Sequence, residues 1–113
     1  MARLDYVELP ATSLSATRTF YEQAFGWRMT EFAPTYAATT TGDTDVGLDA
    51  DEAEKPKVPL PVIQVSDLEA ALVAIERAGG MVIKPIYAFP GGRRFHFRDP
   101  SGNELAAWQP NPE

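Results

Sequence analysis

Residues 14–26, LSATRTFYEQAFG, and residues 68–80, LEAALVAIERAGG, are two versions of one segment. At a constant offset of 54 residues, Leu14 falls on Leu68, Ala16 on Ala70, Glu22 on Glu76, Ala24 on Ala78 and Gly26 on Gly80. No gap is needed, and both versions stop at a glycine. A chain of 113 residues that repeats on this scale reads as two copies of one supersecondary unit, with function expected where the copies share a surface.

Outward from the repeat, each copy opens with a β-rich run, Leu4 to Pro10 and Leu60 to Val65, and passes through a polar break into a helix. In the second copy Ser66 and Glu69 have the spacing of a capping box. Leu68, Ala71, Leu72, Ile75 and Ala78 recur at helical spacing, and Gly79-Gly80 supply a left-handed exit. In the first copy Thr12 takes the capping position, Ala16, Phe20, Tyr21 and Ala24 line one side, and Gly26 is the stop. The expected helices run from Ser13 to Phe25 and from Asp67 to Ala78. Strands follow each: Trp27 to Phe32, Tyr36 to Thr41 and Val46 to Leu48, then Met81 to Tyr87, Arg93 to Arg98 and Glu104 to Trp108. Their breaks fall at Pro34, Gly42-Asp43, Pro90-Gly91-Gly92 and Asp99-Pro100-Ser101-Gly102-Asn103. Both halves therefore read βαβββ, an α+β class. Residues 50–59 are acidic and proline-punctuated, the composition of a solvated connector. One domain over 1–113 is expected, with module 1 at about 3–49, a linker at 50–59 and module 2 at about 60–109.

Composition narrows the function. With 44% hydrophobic residues the chain can bury one modest core, not two independent ones. The net charge of −6, without a basic stripe, argues against nucleic acid and anionic membrane as partners. No long apolar run or charged leader is present, so neither membrane insertion nor export is expected. The absence of cysteine removes disulfides, thiolate nucleophiles and cysteine-ligated metal, and fits a cytoplasmic setting. Gly91-Gly92 joins two strands and opens no helix, so it is not a phosphate loop.

Three stretches carry a family resemblance: Tyr6-Val7-Glu8-Leu9-Pro10 with Phe20-Tyr21 and Phe25-Gly26-Trp27, then Val65-Ser66-Asp67-Leu68, then Phe97-Arg98-Asp99-Pro100-Ser101-Gly102-Asn103. Together they resemble the vicinal oxygen chelate proteins, the glyoxalase, bleomycin-resistance and extradiol-dioxygenase superfamily. The resemblance implies two tandem βαβββ modules with cup-shaped mixed sheets and a ligand or metal inside. In the metal-dependent branches it implies ligands from the first and last strand of each module, usually His or Glu. The first-strand positions hold Tyr6 and Leu60, and the last-strand position of the second module holds Ala106. In the first module the position lies near Val46 to Asp49, where only Asp49 could bind a metal. Apolar residues supply no lone pair for Zn²⁺, Ni²⁺ or Fe²⁺. No metal and no other cofactor is expected.

Strand alternation then gives a lining. If Tyr6 faces the cup, so does Glu8, with Val7 and Leu9 under the helix. Leu60, Val62 and Gln64 face it from the second module's first strand, and Glu104, Ala106 and Trp108 from its last. His96, the sole histidine, alternates with Phe95 and Phe97, which should face the core; its position resembles an acid/base site of the dioxygenase branch. The expected ligand-binding set is therefore Tyr6, Glu8, Leu60, Val62, Gln64, His96, Glu104, Ala106 and Trp108, suited to an organic ligand with polar groups. Arg93 and Arg94 either clamp an anion or lie solvated on their hairpin. Asp99 is expected to hold its own turn. Two function classes follow: a metal-independent protein binding a partly aromatic small molecule, or a lyase, isomerase or dioxygenase-related enzyme using Glu8 or Glu104 as base and His96 as acid. A module whose interior is filled by Leu60, Val62 and Ala106 is a third. A homodimer is expected, because the family resemblance points to two-fold pairing that covers open strand edges.

Overall fold

The computed structural model describes residues 2–112. Ten elements run in the order β1 (Arg3–Pro10), α1 (Leu14–Phe25), β2 (Thr30–Ala33), β3 (Tyr36–Ala38), β4 (Asp45–Asp49), β5 (Leu60–Gln64), α2 (Leu68–Arg77), β6 (Met81–Phe89), β7 (Gly92–Arg98) and β8 (Glu104–Pro110). The chain is thus βαβββ twice, as the repeat requires. It divides into two compact units, residues 5–60 and residues 61–112 with residues 2–4.

Within the first unit the strand order is β2-β3-β4-β1, antiparallel except for the parallel pair β4 and β1. Within the second it is β6-β7-β8-β5, with β8 and β5 the parallel pair. The register repeats as well as the order. Glu8 stands opposite Gly47 on the first parallel pair, and 54 residues on from Glu8, Val62 stands opposite Ala106 on the second.

The helices begin one residue later than the capping signals suggest. Ser13, not Thr12, accepts the Ala16 N–H at 3.2 Å, and Asp67, not Ser66, accepts the Ala70 N–H at 3.0 Å. Ser13 and Asp67 are themselves 54 residues apart, so the true caps obey the repeat. Glu69 does not turn back as a capping box would. The Arg93 guanidinium from β7 offers it two charged donors, at 2.5 and 3.0 Å, a stronger partner than one backbone N–H, and that pairing draws the Glu69 carboxyl down to about 2. At the helix exits the left-handed residue is Gly26 in the first copy (φ 72°) but Gly79, one position early, in the second (φ 100°).

Each helix covers one face of its sheet. In the first unit Met29, Ala37 and Leu48 form the buried cluster, with Leu9, Leu14 and Tyr21 packed on it. In the second, Leu68, Phe95, Phe97 and Ala107 are buried, with Ile63, Leu72, Ile75 and Val82 against them. Full burial of Phe95 or Leu68 contributes about 1.5–3 kcal/mol each. The first helix departs from expectation: Phe20 is 57% exposed and meets Tyr21 edge-on at 5.1 Å. β2 also starts at Thr30 rather than Trp27, because the Trp27 ring is stacked on Tyr21 at 5.1 Å and holds that segment against α1. The connector is ordered around Asp51, whose backbone carbonyl accepts the Lys55 N–H and whose carboxylate accepts the Ala53 N–H.

Candidate functional site

Alternation along the strands leaves on the other sheet faces everything the cores exclude. In the second unit that face carries Lys84 and Tyr87 from β6, Arg94 and His96 from β7, and Glu104, Ala106 and Trp108 from β8. Lys84 reaches it through an irregularity. The β6 register shifts between Lys84 and Tyr87, across Pro85, which has no N–H for the ladder, so that Lys84 pairs with His96 and Tyr87 with Arg94.

These side chains form a continuous polar line. His96 Nδ1 lies 3.0 Å from Glu104 Oε2, His96 Nε2 lies 3.1 Å from Tyr87 Oη, and Arg94 Nε donates to the same Tyr87 oxygen. Burial pushes the His96 imidazole below its ordinary value of 6.5; the Glu104 hydrogen bond opposes this, and the positive charges of Arg94 and Lys84 add to the lowering. At neutral pH the ring is therefore uncharged and carries one N–H. Glu104 can only accept, so that hydrogen sits on Nδ1 and the Nε2 lone pair accepts from Tyr87. The hydrogen bonds run in one direction, from Arg94 to Tyr87 to His96 to Glu104. Around them Lys84 Nζ sits 4.4 Å from the Tyr87 ring centre, Arg94 lies 5.9 Å from the Phe89 ring, and Phe89 meets Trp108 at 6.1 Å. A neutral, oriented imidazole beside two cations and two aromatic rings can bind a planar polar molecule and can accept a proton from it by way of the Tyr87 hydroxyl.

The first unit carries a smaller polar group on the corresponding face. Tyr6 and Tyr36 share a short hydrogen bond between their hydroxyls, and Tyr36 Oη donates to Glu8 Oε2 at 3.3 Å. Gly47 makes room for them: a Cβ there would collide with both hydroxyls.

The repeated register also identifies the fourth position that the resemblance left open. Because Gly47 opposes Glu8 as Ala106 opposes Val62, the last-strand position of the first module is Gly47, not Asp49. The four positions are then Tyr6, Gly47, Leu60 and Ala106, and three of them have no donor atom. The side chains of Gly47, Leu60 and Ala106 offer no lone pair to a metal ion. Among the described residues no group of three or more His, Asp or Glu is placed to hold one.

Of the residues expected to line a site, His96, Glu104 and Trp108 share the polar face of the second unit, with Gln64 opposite Trp108 in the ladder. Tyr6 and Glu8 meet through Tyr36. Leu60, Val62 and Ala106 are buried aliphatics. Arg93 is taken by Glu69, whereas Arg94 points to Tyr87. Asp99 holds its turn by accepting from the Asn103 side-chain amide and from the Asn103 and Ser101 backbone N–H groups, which lowers its pKa. Tyr36, Tyr87, Lys84 and Phe89 join the polar faces without having been expected there. Alternation through the β6–β7 hairpin puts Tyr87 opposite Arg94 and so on the His96 face, whereas Lys84 reaches that face only through the register shift.

A sequence model of the Glyoxalase/Bleomycin resistance protein/Dioxygenase superfamily matches residues 3–107. The chain is 27% identical over 118 aligned positions, 95% of its length, to the proposed glyoxylase CFP32 of Mycobacterium bovis, and it spans 45% of that relative. Among solved structures, it resembles the Bacillus halodurans C-125 protein BH1468 with a TM-score of 0.78 and 16% identity over 99% of this chain and 96% of that one. It also resembles methylmalonyl-CoA epimerase from Mycobacterium tuberculosis, with a TM-score of 0.74 and 17% identity over 97% and 89%. At these identities the solved structures share the fold alone.

Proposed function

The chain belongs to the glyoxalase/bleomycin resistance protein/dioxygenase superfamily, and on that premise we propose that it is a metal-independent small-molecule-binding protein whose ligand is polar and partly aromatic. The observation that carries this reading is the quartet Tyr6, Gly47, Leu60 and Ala106 at the positions where metal-dependent relatives place donors. The polar face of the second module supplies the recognition: Trp108 and Phe89 offer ring faces, while Arg94, Tyr87, His96 and Glu104 offer directed hydrogen bonds. A cytoplasmic, homodimeric protein acting without nucleic acid or membrane fits the cysteine-free, acidic chain, and among the described residues no helix is long and apolar enough to cross a membrane.

A second reading has its own observation. The 3.0 Å His96–Glu104 pair orients a neutral imidazole as a general base, the arrangement an isomerase or lyase would use to move a proton. Denaturing mass spectrometry of small molecules released from the purified protein tests the binding reading. A stoichiometric organic ligand with an aromatic or planar part supports it, and turnover of that ligand would move the assignment to the enzyme.

A further inference from the structure

Resting on the reading that the second module's polar face holds the ligand, we propose that this face selects an anionic ligand, a carboxylate or enolate oxygen on a planar group, seated against Lys84 and the Tyr87 hydroxyl, and that one proton is taken up at His96 as the anion binds. Lys84 supplies the first half. Among the described residues it makes no ion pair, and its ammonium lies over the Tyr87 ring, directly across the ladder from His96. The Lys84 ammonium and the Arg94 guanidinium both approach the Tyr87 ring, at 4.4 and 5.6 Å from its centre.

The hydrogen-bond inventory supplies the second half. In the unliganded line, the single Tyr87 hydroxyl hydrogen points at His96 Nε2, while its oxygen accepts from Arg94. If Nε2 gains a proton from solvent it becomes a donor to the same oxygen. Tyr87 Oη then accepts twice, from Arg94 and from His96, and its own hydrogen swings out to an incoming oxygen anion. Protein, anion and one proton combine, and no bond other than N–H forms. The groups acting on His96 are Lys84 and Tyr87 from β6, Arg94 from β7 and Glu104 from β8. Burial and the two nearest cations keep the imidazole uncharged without ligand, and an anion beside Lys84 cancels the part owed to that charge. Glu104 stands on Nδ1 to stabilise the imidazolium.

The test uses benzoate and its neutral isostere benzamide. Because the chain has one histidine, a single imidazole resonance reports the proton. Benzoate should shift that resonance toward the imidazolium position, more so as pH falls below neutral. Calorimetry in phosphate and Tris should show fractional proton uptake, and affinity should rise as pH falls, by at most about tenfold per pH unit. Lys84→Met, a change at an exposed side chain, should weaken benzoate about tenfold, the loss of one charge-assisted contact, and weaken the neutral benzamide by less. His96→Gln should abolish proton uptake and flatten the pH dependence of benzoate affinity. Equal binding of benzoate and benzamide, with Trp108 emission still responding, overturns the anion proposal and leaves the binding face standing. No response of Trp108 to either compound overturns both.

Discussion

Placing a methyl group at position 47 tests how the first module's polar face is built. The Cβ of Gly47→Ala would occupy the space of the Tyr6 and Tyr36 hydroxyls and approach Tyr6 Cζ to 2.7 Å, so both phenol ends must shift. Forced shifts of this kind cost about 1–3 kcal/mol. Displacing Tyr36 also strains its 3.3 Å hydrogen bond to the buried Glu8, a charged acceptor whose loss costs about 1.5–3 kcal/mol. Against these stands about 0.4–1 kcal/mol gained by restricting the unfolded chain. The net expectation is a destabilisation of about 1.5–5.5 kcal/mol, which at about 4 °C per kcal/mol for a chain of this length lowers Tm by about 6–22 °C. The second module shows how the strain is relieved, since it carries Leu60 and Ala106 where the first carries Tyr6 and Gly47. Urea unfolding of Gly47→Ala, Tyr6→Leu and the double variant forms a cycle, and Tyr6→Leu should recover at least about 1 kcal/mol of the alanine's cost. Strict additivity, or a Gly47→Ala protein as stable as the parent, would refute the packing described for this face.

Phe95→Ala should cost about 3–5 kcal/mol in chemical denaturation, because that ring is fully buried between sheet and α2; a loss below about 1 kcal/mol would contradict its place in the core. His96, whose folded pKa is depressed, contributes stability that is complete above pH 6.5 and is lost as pH falls toward the folded value, with a slope of at most about 1.4 kcal/mol per pH unit. His96→Gln should therefore lose less stability than the parent between about pH 7.5 and pH 5.5, and identical pH profiles would show that the imidazole is not held neutral by burial. Sedimentation at micromolar concentration should give a homodimer, and a monomer would remove the two-fold pairing from the functional reading.

The repeat made the fold legible. The shared offset located both helices, their glycine exits and the βαβββ order, because each copy must bury the same faces. Alternation around His96 correctly sent Phe95 and Phe97 to the core. What escaped the sequence was set by non-local partners. Ser66 with Glu69 has a capping-box spacing, yet Glu69 is claimed by Arg93, 24 residues away, and Asp67 takes the cap. Lys84 would fall on the core face by strict alternation from Tyr87; the register shift at Pro85 puts it opposite His96 instead. Tyr36 opens a strand whose partner is known only once β4 is placed, so its meeting with Tyr6 and Glu8 had no local signal. The position equivalent to Ala106 became Gly47 only through ladder register.

Metal independence is tested most directly by titrating planar aromatic acids into chelator-stripped protein and following Trp108 emission. A Trp27→Phe background is needed, since Trp27 is the chain's other indole and stacks on Tyr21. Saturable quenching that persists in excess chelator and is lost in Trp108→Leu is the expected result. Binding that appears only when Mn²⁺, Zn²⁺ or Ni²⁺ is restored at one equivalent would contradict it.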